Sequence, residues 1–156
     1  MKTRLILFIL FYSFLVKNTW SQEEALGNYN LMPWPKEIKS STVKFMIDSN
    51  VTISIKGENH PRVRNAAINF LRRLANRTGV FIDTGFPLKN TSASIEITYD
   101  TISNLTIDDD ESYSLIVKED KITIHALMDV GALRGLETLL QLVSHNENDY
   151  FFQGVT

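Results

Sequence analysis

Four consecutive acidic residues, Asp108-Asp109-Asp110-Glu111, form the one carboxylate cluster in this 156-residue chain. Paired carboxylates are the tools of glycoside hydrolysis, so the run invites a catalytic reading. Adjacent acidic side chains just ahead of a strand are more simply a solvated loop, and their spacing is not that of an EF-hand calcium loop. The three histidines, His60, His125 and His145, stand far apart, and none sits in H-E-x-x-H. His60 precedes a proline placed to start a helix and reads as a cap or surface residue. His125 lies in a strand and by alternation faces away from Ile122 and Ile124. No G-x-S-x-G elbow raises a serine above background. Trp34, alone between two prolines, reads as packing rather than as a platform for a ligand. No catalytic, cofactor-binding or metal-ligating residue is assigned, and no cofactor is expected.

The elements that would position such residues are clearest between 111 and 143. Leu115 and Val117, then Ile122 and Ile124, alternate with polar neighbours, which predicts strands at 113–117 and 121–126. The charged turn 118–120 is short enough for a hairpin. A helix follows, with Asp129 as its expected N-cap. Ala132, Leu133, Leu136, Leu139, Leu140, Leu142 and Val143 cover about half its circumference at roughly 100° per residue. One sheet asks for a stripe of only about 100°. Gly131 and Gly135 cost roughly 1 kcal/mol each against alanine in a helix interior, which suggests close approach of another backbone. The expectation is a helix squeezed between its own sheet and something else.

Earlier in the chain, Pro33 and Pro35 forbid a central strand at 31–38 and suggest an edge or leading segment. Alternation predicts strands at 43–47 and 51–55 around a turn at 48–50. A first helix is predicted over 61–77, with Pro61 at its first position and Gly79 as its stop. Its apolar face is Val63, Ala66, Ala67, Phe70, Leu71, Leu74 and Ala75, widened by Ile68. Arg72, Arg73 and Arg77 near its end suit the helix dipole and read as a solvated face. Extended pieces are expected at 80–87 and 95–99, and the chain turns polar at 145–149. Strand runs broken by only two helices predict an α+β fold, a mostly antiparallel sheet with both helices on one face.

The forms E-S-Y-x-L, I-T-I-x-A and G-A-L-R-G-L-E-T-L-x-Q-L, the last at 131–142, resemble the N-terminal, non-catalytic domain of glycoside hydrolase family 20, the β-N-acetylhexosaminidases. The stretch LMPWPKEI at 31–38 looks like the first strand of that domain. The resemblance covers about residues 31–154. It implies a family reaction, release of terminal β-linked N-acetylhexosamine from glycans with retention, in which the substrate's own acetamido oxygen attacks. A glutamate donates the proton, and its aspartate neighbour orients and stabilises the acetamido group. The resemblance also implies that the catalytic Asp-Glu pair and the sugar-binding arginine belong to a (β/α)8 barrel after this domain, so Arg134 is expected in an ion pair or a domain contact. A barrel needs about 250 residues, and the sequence stops short of the D-x-P-R-F segment that opens it. The chain is therefore expected to be a fragment, inactive alone, whose partner is a hexosaminidase barrel and which meets glycan only through it. In the family the two helices lie between sheet and barrel. The residues expected at that domain interface are Ile68, Leu71, Ala132, Arg134, Gly135, Leu139 and Leu142, with Ala132, Leu139 or Leu142 and Ile68 or Leu71 left open to solvent.

Composition adds boundaries. A net charge of −2 and no basic cluster interleaved with aromatics argue against nucleic acid. Lys2 and Arg4 followed by the apolar run 5–16 read as a secretory signal over 1–21, cut before Gln22, too short for a normal membrane span. Residues 22–30 would then be a linker, and no stable membrane span would remain after cleavage. The destination would be secreted, periplasmic or a lysosome-like exported compartment. With no cysteine, the core must supply stability there without disulfides. Sequons begin at Asn50, Asn76, Asn90 and Asn104. Two further readings stand beside the fragment: a free-standing secreted glycan- or protein-binding module, and a domain that pairs with a separately encoded barrel.

Overall fold

A computed structural model describes residues 29–56, 58, 60–82, 88–89 and 93–156. The signal expected at 1–21, most of the linker, the sequon asparagine Asn90 and most of the extended piece at 80–87 lie outside them. The elements run β1 (Ser40–Met46), β2 (Ile53–Lys56), α1 (Pro61–Thr78), β3 (Leu88–Lys89), β4 (Ile95–Thr101), β5 (Tyr113–Val117), β6 (Ile122–Met128), α2 (Asp129–Gln141), β7 (Val143–His145) and β8 (Tyr150–Val155). One sheet joins the strands in the order β1-β8-β5-β6-β4-β2-β3, with β7 paired to β8. Antiparallel pairs predominate: β1–β8, β5–β6, β5–β8 and β7–β8, against the parallel pairs β2–β3, β2–β4 and β4–β6. The fold is α+β, as expected, with both helices on one face. Among the described residues no helix is long and apolar enough to cross a membrane.

The 111–143 stretch folds nearly as its pattern demands. β5 and β6 form a hairpin in which Leu115 faces Ile124 and Val117 faces Ile122, closed by the Lys118 amide donating to the Lys121 carbonyl at 2.9 Å. Ile95, Ile97, Ile122 and Ile124 have no exposed surface at all. His125 sits on the opposite, solvent-facing side, 3.6 Å from the Asp100 carboxylate.

Elsewhere the chain departs from the sequence reading. β1 and β2 are consecutive in the chain but have four strands between them in the sheet, so the Asp48 turn carries the chain across the sheet. The polar stretch at 145–149 is the tip of a second hairpin, β7–β8. β8 runs beside β1, β5 and β7, and its Phe152 is fully buried between Phe45 and Phe70 of α1. The leading segment at 31–38 forms no strand, which its two prolines explain.

Helix α1 begins as expected, with Pro61 in its first turn and the His60 ring accepting from the Arg62 amide, and it ends at Gly79 in the left-handed region. In α2 the N-cap is Met128, not Asp129. Asp129 is instead the first helical residue, buried, with its carboxylate turned to Arg62 and the Ser103 amide.

The wide apolar arc of α2 has its explanation inside this chain. One side lies on β4, β5 and β6, and the other meets α1. Its C-terminal end meets the leading segment, whose Met32 backbone is clamped by the Gln141 amide through bonds of 2.7 and 3.1 Å. The backbone that presses on Gly131 is also internal: a Cβ there would lie 2.4 Å from the Ser112 carbonyl oxygen. At Gly135 a Cβ would lie 2.6 Å from an Ile124 methyl.

Candidate functional site

Three places combine polar or exposed groups with a cavity or a network. The first joins the helix N-termini at the ends of the parallel strands. Asp129 has no solvent exposure, accepts from the Ser103 amide at 2.7 Å and pairs with Arg62, which also donates to the Ser103 hydroxyl at 2.8 Å. Burial pushes the Asp129 carboxyl up, but the Ser103 amide and hydroxyl and the Arg62 charge outweigh it and hold the group below the ordinary carboxylate range. Every group here is satisfied by a neighbour, so the cluster ties α1, α2 and the β4 exit together and leaves no free acid or base.

The second is a groove of about 630 Å³ along the outward side of α1 and α2. Ala66, Asn69 and Arg72 line one wall, Val130 and Leu133 the other, and Leu105 one end. Ion pairs stand on its rim: Arg73 with Glu137 across the helices, and Arg134 with Glu111 through two bonds of 2.8 and 2.9 Å. Arg77 donates to the Leu140 carbonyl near the end of α2. Of Arg72, Arg73 and Arg77, two thus bind α2, which the reading as a merely solvated face missed.

The third is a cleft of about 540 Å³ beneath the leading segment, bounded by Trp34, Tyr113, Leu115 and Leu142. Trp34 is 55 % exposed, as its place beside prolines allows, and is less a packing residue than a lone tryptophan usually is.

The acidic run divides among local tasks. Asp109 accepts from the Thr106 amide and hydroxyl, Asp110 from the Ser112 amide, and Glu111 pairs with Arg134. The carboxylates serve loop closure, as the solvated-loop reading expected.

The residues expected at a domain interface separate. Leu71, Ala132, Gly135, Leu139 and Leu142 are all buried within this chain. The expectation that Ala132, Leu139 or Leu142 stays open is overturned, because α1, the sheet and the leading segment already cover the arc of α2; of the pair Ile68 or Leu71, Leu71 is closed. Ile68 is half-buried, and Arg134 is exposed beside the groove. Most of the exposed large apolar residues lie instead around the helical layer: Met32 and Trp34 by the end of α2, Phe81 just past α1, and Leu105 and Ile107 in the loop after β4, while Met46 and Leu127 stand on the strands β1 and β6. The sequence signal for Leu105 and Ile107 is two aliphatics spaced by one residue in an otherwise polar stretch.

Residues 28–156 match the family model described as glycosyl hydrolase family 20, domain 2. The chain belongs to glycoside hydrolase family 20. Its domain is similar to part of beta-hexosaminidase subunit A2 of Dictyostelium discoideum, 29% identical over 160 residues, covering 96% of this chain and 28% of that protein. Subunit A1 of the same organism is 28% identical over 150 residues, with 89% of this chain and 25% of that protein covered. Among solved structures, Flavobacterium johnsoniae chitobiase is 39% identical with a TM-score of 0.77, covering 81% of this chain and 20% of that one. The family 20 exo β-N-acetylglucosaminidase of Vibrio harveyi, solved with N-acetylglucosamine, is 26% identical with a TM-score of 0.56, covering 80% of this chain and 18% of that one. The family 20 domain thus spans about a quarter of the curated relatives it matches.

Proposed function

We propose that this family 20 domain is the non-catalytic N-terminal part of an exported β-N-acetylhexosaminidase. It docks the outward side of its helical layer on a (β/α)8 barrel that cleaves terminal β-linked N-acetylhexosamine from glycans. The observation that carries this reading is the family match over 28–156, beside an acidic run in which Asp109, Asp110 and Glu111 are engaged in loop and helix contacts. Residues 1–21 act as the export signal, removed before Gln22, with 22–30 as linker and 31–154 as the domain.

Interface roles fall to Ile68 and Arg134 with the groove, while Leu71, Ala132, Gly135, Leu139 and Leu142 support it from inside. A closed core is also what a free-standing binding module would need. The open groove, with exposed Leu105 at one end, favours docking over that alternative.

The test is an assay of two preparations on an aryl N-acetyl-β-glucosaminide. The 156-residue chain is expected to give no turnover, and the intact product of its gene is expected to be active and to begin at Gln22. Turnover by the short chain that disappears in Asp109→Asn or Asp110→Asn would sink the reading.

A further inference from the structure

We propose that the loop at 103–112 is the anchor of this domain, with Leu105 and Ile107 as two aliphatic plugs that enter an apolar pocket on the catalytic barrel. The inference rests on the docking reading above and adds the element that grips. Ile107 is 99% exposed and Leu105 65%, although both sit in a loop of only ten residues whose other members are mostly polar. Leu105 also holds a φ of 59°, the left-handed region that a bulky side chain avoids. A residue kept in that region is held there by its surroundings, and such positions gather where a ligand or partner is clamped.

The surroundings are visible. The Ser103 amide is fixed to buried Asp129 at 2.7 Å. Asp109 holds Thr106 through its amide at 2.8 Å and its hydroxyl at 3.1 Å. Asp110 accepts from the Ser112 amide at 2.7 Å, and Glu111 is held by Arg134. The loop is therefore tied at its start, beyond its tip and at its end, and it holds its two aliphatic side chains out in solvent among exposed polar neighbours. A surface ordered before it meets its partner loses less freedom on binding.

Leu105 also borders the groove between α1 and α2, so anchor and groove are one continuous surface. The occupant is the remainder of the same polypeptide, because this domain corresponds to only 28% of the curated relative and 20% of the chitobiase.

The experiment uses the purified product of the complete gene with the photo-reactive residue p-benzoylphenylalanine in place of Ile107, or of Leu127 on the far side of the sheet as control. Cross-links from position 107 are expected to map within one polypeptide onto peptides of the catalytic part, with none from position 127. Cross-links confined to a second copy of the domain, or none, would overturn the anchor while leaving the docking reading intact. A gene product without any catalytic part would overturn both. A second measurement guards against misfolding. Leu105→Gly in the 156-residue chain is expected to keep or raise Tm, since glycine adopts positive φ freely. In the complete product, Leu105→Gly with Ile107→Asp is expected to speed proteolytic release of the domain several-fold. Unchanged release would count against the anchor.

Discussion

The inward and outward sides of α2 follow different rules. Facing the sheet and α1, Ala132 and Leu139 have no exposed surface, and the two glycines leave no room for a methyl group. The charge at that end, Asp129, is buried and fully paired. On the outward side, one turn away, the ion pairs stand half in water around an open groove. The same thirteen residues thus serve two purposes. Changes on the inward side should register as lost stability, and changes on the outward side as lost association. That contrast can be broken position by position.

The largest expected loss comes from the buried charge. Asp129→Ala leaves Arg62, itself only 26% exposed, without its partner, and should cost about 4 kcal/mol in urea unfolding. The pH dependence has a definite sign. The native carboxyl titrates below its ordinary value, so it contributes stability above the unfolded pKa of about 3.9 and loses it as the pH falls through the lower native value. The gap between wild type and Asp129→Ala should stay level from neutral pH to about 5 and close below about 4. A gap that widens on acidification would show that the pairing is not what stabilises this junction.

Leu139 comes next. Sequence periodicity placed it on an arc too wide for one sheet and so expected it to be dispensable here. The structure leaves it no exposure, and Leu139→Ala should cost about 3 kcal/mol. If the variant unfolds at the wild-type urea midpoint, the inward side is not closed as described.

The two glycines give a finer test. Alanine gains roughly 1 kcal/mol of helix propensity over glycine, yet at Gly131 its methyl would meet a backbone carbonyl at 2.4 Å. Gly131→Ala should therefore lose about 2 kcal/mol net. At Gly135 the obstacle is a methyl of buried Ile124, a side-chain rather than a backbone atom, so Gly135→Ala should also lose stability, but less. The reverse order in thermal melts would contradict the assignment of the Ser112 carbonyl as the tighter neighbour.

What the sequence disclosed divides along the same line. Period-two alternation at Leu115, Val117, Ile122 and Ile124 and the punctuation by Pro61 and Gly79 are local signals, and the elements they predict are present. The family resemblance on 131–142 reached the fold as a whole. Strand order was not legible, because β1 and β2 look like a hairpin in sequence and only the long-range pairing with β8 and β4 separates them. β8 itself, Tyr-Phe-Phe-Gln-Gly-Val, lacks clean alternation, since neighbouring residues on both of its faces are buried and Gly154 lies against the Val43 carbonyl, opposite a register shift in β1. For the candidate site, the width of an apolar arc could be read but not what fills it. Gln141 is a polar helix residue, and nothing in its neighbourhood says that it clamps Met32 from 109 positions away.

The smallest effect should come from the most conspicuous outward contact. Arg134 meets Glu111 through two well-formed bonds, yet both side chains are more than half exposed. Arg134 raises no buried group's cost when it leaves, and solvent screens what the pair gains. Glu111 is held below its usual carboxylate range by hydrogen bonding to Arg134, so the pair is formed at neutral pH and weakens on acidification. Arg134→Ala in the 156-residue chain should leave the Tm where it was, at low salt and at high. In the intact gene product the same substitution should loosen the 103–112 loop and raise amide exchange at Leu105 and Ile107, because the loop loses its tie to α2. If Arg134→Ala instead unfolds the short chain as readily as Asp129→Ala, the outward side belongs to the core and the division between the two sides of α2 fails.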